Sequence, residues 1–156
     1  MKLGVTGHRN IPPSAIPHIR AEMMEIIGRY APITGLSSLA AGADQLFALS
    51  ILKTGNRLHV LIPCKKYELT HQDADLLLYQ RFLVQAENVE MFPFELPCEE
   101  AFFYAGQRLV DHSDLLIAVW DGKRADGVGG TADVVAYARK SDKPVTVIWP
   151  MGVSRT

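Results

Sequence analysis

Leu115-Leu116-Ile117-Ala118-Val119-Trp120 runs without a polar residue into Asp121-Gly122-Lys123-Arg124-Ala125-Asp126-Gly127-Val128-Gly129-Gly130-Thr131-Ala132-Asp133. An unbroken apolar run of strand length reads as a β-strand covered on both faces, as in a parallel sheet whose crossovers are helices. This strand is therefore expected near the middle of its sheet. The residues from Asp121 onward read as a glycine-rich loop and then a helix start. Outward from this segment, further β-rich runs lie at Lys2 to Thr6, Pro32 to Ser37, Leu58 to Pro63, Val89 to Phe94 and Val145 to Trp149. Between them fall helix-period segments at Ile16 to Tyr30, Ala43 to Lys53, His71 to Ala86, Glu99 to His112 and Thr131 to Lys140. Strands alternating with helices along the whole chain predict an α/β fold with a mostly parallel sheet of about six strands and helices on both faces, three layers in all.

The chain has 156 residues, which fits one domain spanning 1–156 and leaves little room for a second. Sixteen Lys plus Arg against 17 Asp plus Glu leave a net charge of −1, so no overall field draws the chain to nucleic acid or to an anionic membrane. No leader-like segment opens it and no apolar stretch approaches the ~18 residues of a membrane span, so a cytoplasmic protein is expected. Cys64 and Cys98 form no Cys-x-x-Cys pair, and His8, His18, His59 and His71 show no His-x3-His spacing. Neither a disulfide framework, a metal site nor a bound cofactor is expected. The helix-period segment at His71 to Ala86 carries Leu76, Leu77, Leu78, Tyr79, Phe82, Leu83 and Val84, too many apolar positions for one narrow stripe. A domain this small has limited interior to cover them, which predicts a homo-oligomer.

In open parallel sheets ligands bind in the crevice outside the carboxyl ends of the strands, so the loops leaving those ends carry the chemistry. The first is Gly4-Val5-Thr6-Gly7-His8-Arg9, where a flexible glycine precedes a cation that suits an anion. It is not the Gly-x-Gly-x-x-Gly dinucleotide fingerprint, and no Gly-x4-Gly-Lys-Ser/Thr occurs. The plainer alternative is a tight turn with an exposed arginine. The second, Gly35 to Asp44, brings small residues to a helix start. There Ser37 and Ser38 can donate hydroxyl hydrogen bonds, and Asp44 can accept from a ribose hydroxyl or simply sit well on the helix dipole. The third is the Gly129-Gly130-Thr131 turn, whose unpaired amides and hydroxyl at a helix mouth suit a phosphate. Its plainer alternative makes Thr131 an ordinary N-cap and Asp133 a first-turn acid. Asp111-His112-Ser113-Asp114 enters the amino end of the strand, away from the crevice, and is discounted as a catalytic set.

Taken together, these loops resemble the SLOG superfamily, the Rossmann-like group that includes the Smf/DprA and Lonely-guy-like proteins. Gly4 to Arg9, Gly35 to Asp44 and Asp111 to Asp133 carry the resemblance, which with the element order covers nearly the whole chain. It implies a Rossmann-like domain holding a nucleotide-derived ligand, a nucleoside monophosphate or an ADP-ribose-like molecule, across the carboxyl edge of the sheet. It places the phosphate on Gly129, Gly130 and Thr131, with Gly7, His8 and Arg9 of the first loop, Ser38, Gly42 and Asp44 of the second, and Asp121 around the ligand.

Some members of the group are phosphoribohydrolases that cut the base from a nucleoside monophosphate, with a Pro-Gly-Gly-x-Gly-Thr motif followed by two acids. Here Val134 stands where their catalytic glutamate would fall, and the corresponding glutamate of nucleoside deoxyribosyltransferases matches Val134 as well. Glycosidic cleavage needs a carboxylate beside a cationic ribosyl transition state, which valine does not supply. Asp133 is displaced from that position by one helical residue, a rotation of about 100°. The sequence therefore favours a ligand-binding module or sensor. The enzymatic alternative is a nucleoside 5′-monophosphate N-glycosidase using Asp133 and Arg9, or Asp44. A third alternative, by likeness to the DprA branch, is a module that meets single-stranded nucleic acid, against which the near-zero charge counts.

Overall fold

The computed structural model describes residues 1–124 and 130–154. In chain order these form β1 (Lys2–Gly7), α1 (Ile16–Tyr30), β2 (Thr34–Ser37), α2 (Ala43–Lys53), β3 (Arg57–Cys64), α3 (Asp73–Gln85), β4 (Asn88–Phe94), α4 (Glu99–Asp111), β5 (Leu115–Val119), α5 (Thr131–Lys140) and β6 (Val145–Ile148), with short 3-10 turns at Pro13–Ala15 and Tyr67–Thr70. The strands make one six-stranded sheet in the order β4-β3-β2-β1-β5-β6, every pair parallel. This is the α/β Rossmann-like arrangement expected from the sequence.

Alternation along the strands divides the core. Leu3 and Val5 of β1, Val60 of β3 and Ile117 and Val119 of β5 face α1 and α2, meeting Ile19, Met23, Phe47 and Ile51. Leu36, Leu61, Phe92 and Leu116 face the other way, onto Ala105 and Leu109 of α4 and Val134 and Ala138 of α5. Both faces of β5 are thus covered, and all of its residues are buried. It does not lie at mid-sheet as expected: β6 alone stands outside it, and the chain builds outward from β1 to β4 before returning to place β5 on the other side of β1.

Strands β3 and β4 each start a residue before the expectation, while β2 and α3 start later than expected, for identifiable reasons. Strand β2 begins at Thr34, since Pro32 has no amide to give a ladder. Helix α3 begins at Asp73, because His71 is held in extended backbone with its Nε2 2.7 Å from the Leu39 carbonyl. The apolar excess of α3 is only partly covered: Tyr79 and Phe82 enter the core, whereas Leu77 and Val84 are 59% and 86% exposed. Among the described residues no helix is long and apolar enough to cross a membrane.

Candidate functional site

Between β1 and β5 the strand order reverses, so the loops leaving these two strands diverge and open a crevice at the carboxyl edge. His8 closes its floor. The residue is buried, its amide donates to the Val119 carbonyl (3.2 Å), and the edge of Trp149, just past β6, meets its ring with centroids 5.4 Å apart. His8 Nε2 lies 3.1 Å from the Asp121 amide nitrogen and 3.3 Å from Asp121 Oδ1. One nitrogen does not serve both at once. With its proton on Nδ1 alone the ring accepts from the amide, and with a proton on Nε2 it donates to the carboxylate. In either state it ties the β1 loop to the β5 loop. Asp121 Oδ1 also accepts from the Lys123 amide (2.9 Å), which turns the chain back across Trp120.

The β1 and β2 loops are locked together as well. Ala43 donates its amide to the His8 carbonyl (3.1 Å), and Gly42 sits against that backbone with φ +82°. A Cβ on Gly42 would come within 2.5 Å of the His8 carbonyl oxygen and would collide with that of Arg9. Gly7 is equally confined, since a Cβ there would lie 2.8 Å from Val119 Cβ and run into the methyl of Ala43. Both glycines let backbone pack against backbone at the crevice floor.

The β2 loop is held by its own side chains. Ser37 Oγ donates to the Asp44 carbonyl and accepts from the Leu39 amide, both at 3.1 Å, while Ser38 beside it is half-buried. Leu39 adopts φ +58°, a strained conformation for a leucine, and its carbonyl accepts from His71 Nε2 and Gln45 Nε2. Asp44 opens α2 but does more than complement its dipole, because its side chain is buried. Its Oδ2 accepts from the Ala40 amide (3.2 Å). Burial raises its pKa from 3.8 to about 7, against the lowering effects of that amide and of the Arg9 guanidinium. Burial likewise pushes the Tyr67 phenol far above its ordinary value, with the Asp44 charge adding to the rise and Arg9 opposing it. Arg9 itself is exposed and lies over the Phe102 ring of α4, 5.6 Å from its centroid.

At the third loop Gly130 is the N-cap of α5 and no side chain caps the helix. Thr131 is the first helical residue and is buried, so it is not the ordinary N-cap of the plainer reading. Gly129 lies outside the described residues. Asp133 is half-buried in the first turn. Val134 points into the seam between α4 and α5, so close that a Cβ on Gly106 would lie 2.7 Å from its Cγ2. The position of the glutamate in the resembling hydrolases is thus a core position here.

Asp111, His112 and Asp114 stand at the opposite end of the strands. There Asp114 Oδ2 accepts from the Lys2 amide and Asp111 Oδ1 from the Tyr137 hydroxyl, both at 2.7 Å. Among the described residues no group of His, Cys, Asp and Glu is placed to hold a metal ion. Sequence reasoning missed Tyr67 and Phe102; an aromatic just past a strand end was the available signal for the first.

No known family profile matches the chain, and no curated protein matches it by sequence. Solved structures do. DNA processing protein A from Helicobacter pylori, described for its single-stranded DNA binding mode, superposes with TM-score 0.72 at 19% identity, over 100% of this chain and 68% of that one. DNA processing protein A from Streptococcus pneumoniae gives TM-score 0.71 at 16% identity over 97% of this chain, which spans about half (51%) of its length. A molybdenum cofactor binding protein from Rippkaea orientalis gives TM-score 0.61 at 19% identity, over 94% of this chain and 74% of that one. At these identities the likeness is one of fold alone.

Proposed function

We propose that this protein is a cytoplasmic ligand-binding module whose crevice holds a nucleoside monophosphate or an ADP-ribose-like molecule and reports its presence through a homo-oligomer. The observation that carries this reading is the amino end of α5, where Gly130 is the N-cap and no side chain caps the helix, following the β5 loop that His8 ties to the switch point. Amides at such an end, together with the helix dipole, favour a phosphate. Arg9 and Asp44 supply charge and hydrogen-bonding capacity on the other side of the same crevice. Binding without turnover follows from Val134, since a helix-seam valine offers no carboxylate to a ribosyl cation. The exposed Leu77 and Val84 of α3, with Val89 and Met91 of edge strand β4, supply apolar surface for a second copy.

A thermal-shift screen against nucleoside mono- and diphosphates, ADP-ribose, NAD and cyclic nucleotides tests the reading. A true ligand at 100 times its Kd stabilises by about 2.7 kcal/mol. Chromatography of each hit is expected to return intact nucleotide. Free base released by the wild type but not by Asp133→Asn would establish the N-glycosidase instead. Salt-sensitive affinity for single-stranded DNA with no nucleotide hit would establish the nucleic-acid module.

A further inference from the structure

Asp44 and Tyr67 reach the crevice from different elements, one from the first turn of α2 and one from the turn after β3, and both are buried, at 8% and 2% exposure. Their polar ends are not fully used. Asp44 Oδ2 takes the Ala40 amide, but neither Asp44 Oδ1 nor the Tyr67 hydroxyl takes a hydrogen bond from a described residue. Tyr67 meets the Phe102 ring with centroids 6.2 Å apart, the same ring that Arg9 covers, and the Ala43 amide bond to the His8 carbonyl sets Asp44 beside the Arg9 backbone, so the charges of Asp44 and Arg9 are felt at one another and at the phenol. Arg9 in turn rests on Phe102 of α4, so loops from β1, β2 and β3 and the start of α4 meet at one point.

Although both residues are buried, Asp44 Oδ1 and the Tyr67 hydroxyl are not among the described side-chain atoms that are enclosed without a partner, so these two ends stay open to a group from outside the chain. Its chemistry is constrained. A cation would face Arg9, and a second phosphate would face the Asp44 carboxylate. A pair of adjacent hydroxyls satisfies all three residues: each O–H donates to the carboxylate, while the oxygens accept from the phenol and the guanidinium. We propose that Asp44, Tyr67 and Arg9 form a subsite for the 2′,3′-diol of a ribose, which makes the site select ribonucleotides over nucleotides lacking those hydroxyls. This rests on the nucleotide reading above and adds to it the sugar that is chosen.

Because burial holds the free carboxyl near half-protonation at neutral pH and a diol donates best to its ionised form, diol binding also releases a proton. Burial dominates at Asp44, the Ala40 amide of its own loop and Arg9 from the β1 loop oppose it, and the Asp44 charge acts in turn on Tyr67 from the turn after β3.

Isothermal titration calorimetry of the whole chain at pH 6.5, in two buffers of different ionisation enthalpy, measures both effects. The probes are AMP, GMP, CMP and UMP, each beside its 2′,3′-dideoxy counterpart, which carries the same phosphate. A ribonucleotide is expected to bind about 10- to 100-fold more tightly than its dideoxy partner, the range for losing hydrogen bonds to a charged group. It is also expected to release more protons. In Asp44→Asn the preference should shrink below about threefold, with Tyr67→Phe as the independent variant if Asp44→Asn does not fold. Equal affinity of the two series overturns the diol subsite and leaves the nucleotide reading standing. Extra proton uptake in place of release also overturns it, since that is the signature of an anion at this point. Failure of every nucleotide to bind overturns both.

Discussion

At the scale of single residues, Asp44 has the sharpest consequence. Its folded pKa of about 7 lies above the 3.8 of an unperturbed aspartate, so the folded state binds the extra proton. Stability from this group is complete below pH 4 and is lost as pH rises through 7. Replacing it with Asn removes the charged form while keeping an acceptor for the Ala40 amide. Asp44→Asn is therefore expected to match the wild type in thermal melts near pH 4 and to exceed it at pH 8, by up to about 4 kcal/mol. A lower melting temperature at pH 8 would contradict the assigned burial cost. Gly42 sets a second case. Gly42→Ala puts a methyl against the His8 and Arg9 carbonyls at positive φ and should cost about 2 to 4 kcal/mol in denaturant unfolding. These residues were legible to different degrees. Small residues before Ala43 marked a helix start next to a ligand loop, but the burial of Asp44 and the charges it shares with Tyr67 and Arg9 from other strands are recorded in no local pattern.

Among the elements, the seam between α4 and α5 separates this chain from the hydrolases its motifs resemble. Val134 fills the space that Gly106 leaves. Val134→Glu is thus expected to yield no glycosidase activity and to destabilise the fold by several kcal/mol, because the new carboxylate would be buried without a partner. Release of base from AMP by that variant would show the seam to be open to the crevice. Helices α1, α2 and α5 begin and end where their periodicity and small-residue entrances predict. By contrast α3 starts late, since the His71 side chain bonds to Leu39, distant in sequence. The place of β5 was misjudged for a related reason: an apolar strand reports that both its faces are covered, not how many strands lie beyond it.

Over the whole molecule, the apolar side of α3 and the exposed Val89 and Met91 of β4 lie toward one margin of the sheet. If a second copy covers α3, Val84→Glu should reduce the mass measured by light scattering to that of one chain without lowering the melting temperature of the monomer. An unchanged mass would place the interface elsewhere. The alternation of strands and helices made the α/β architecture readable, whereas the order of strands had to come from the structure. That order is what brings Phe102 to Arg9 and Trp149 to His8.

The bond from Ala43 to the His8 carbonyl joins the β1 and β2 loops, and the His8 ring joins them to the turn at Asp121, so a guest in the crevice meets three loops fastened at one histidine. The chain's two tryptophans stand at that junction: Trp149 meets the histidine itself, and Trp120 donates its indole N–H to the Lys123 carbonyl in the turn that Asp121 holds. Native emission, with no dye attached, should therefore change when the crevice fills, and His8→Ala should uncouple the Trp149 signal from occupancy.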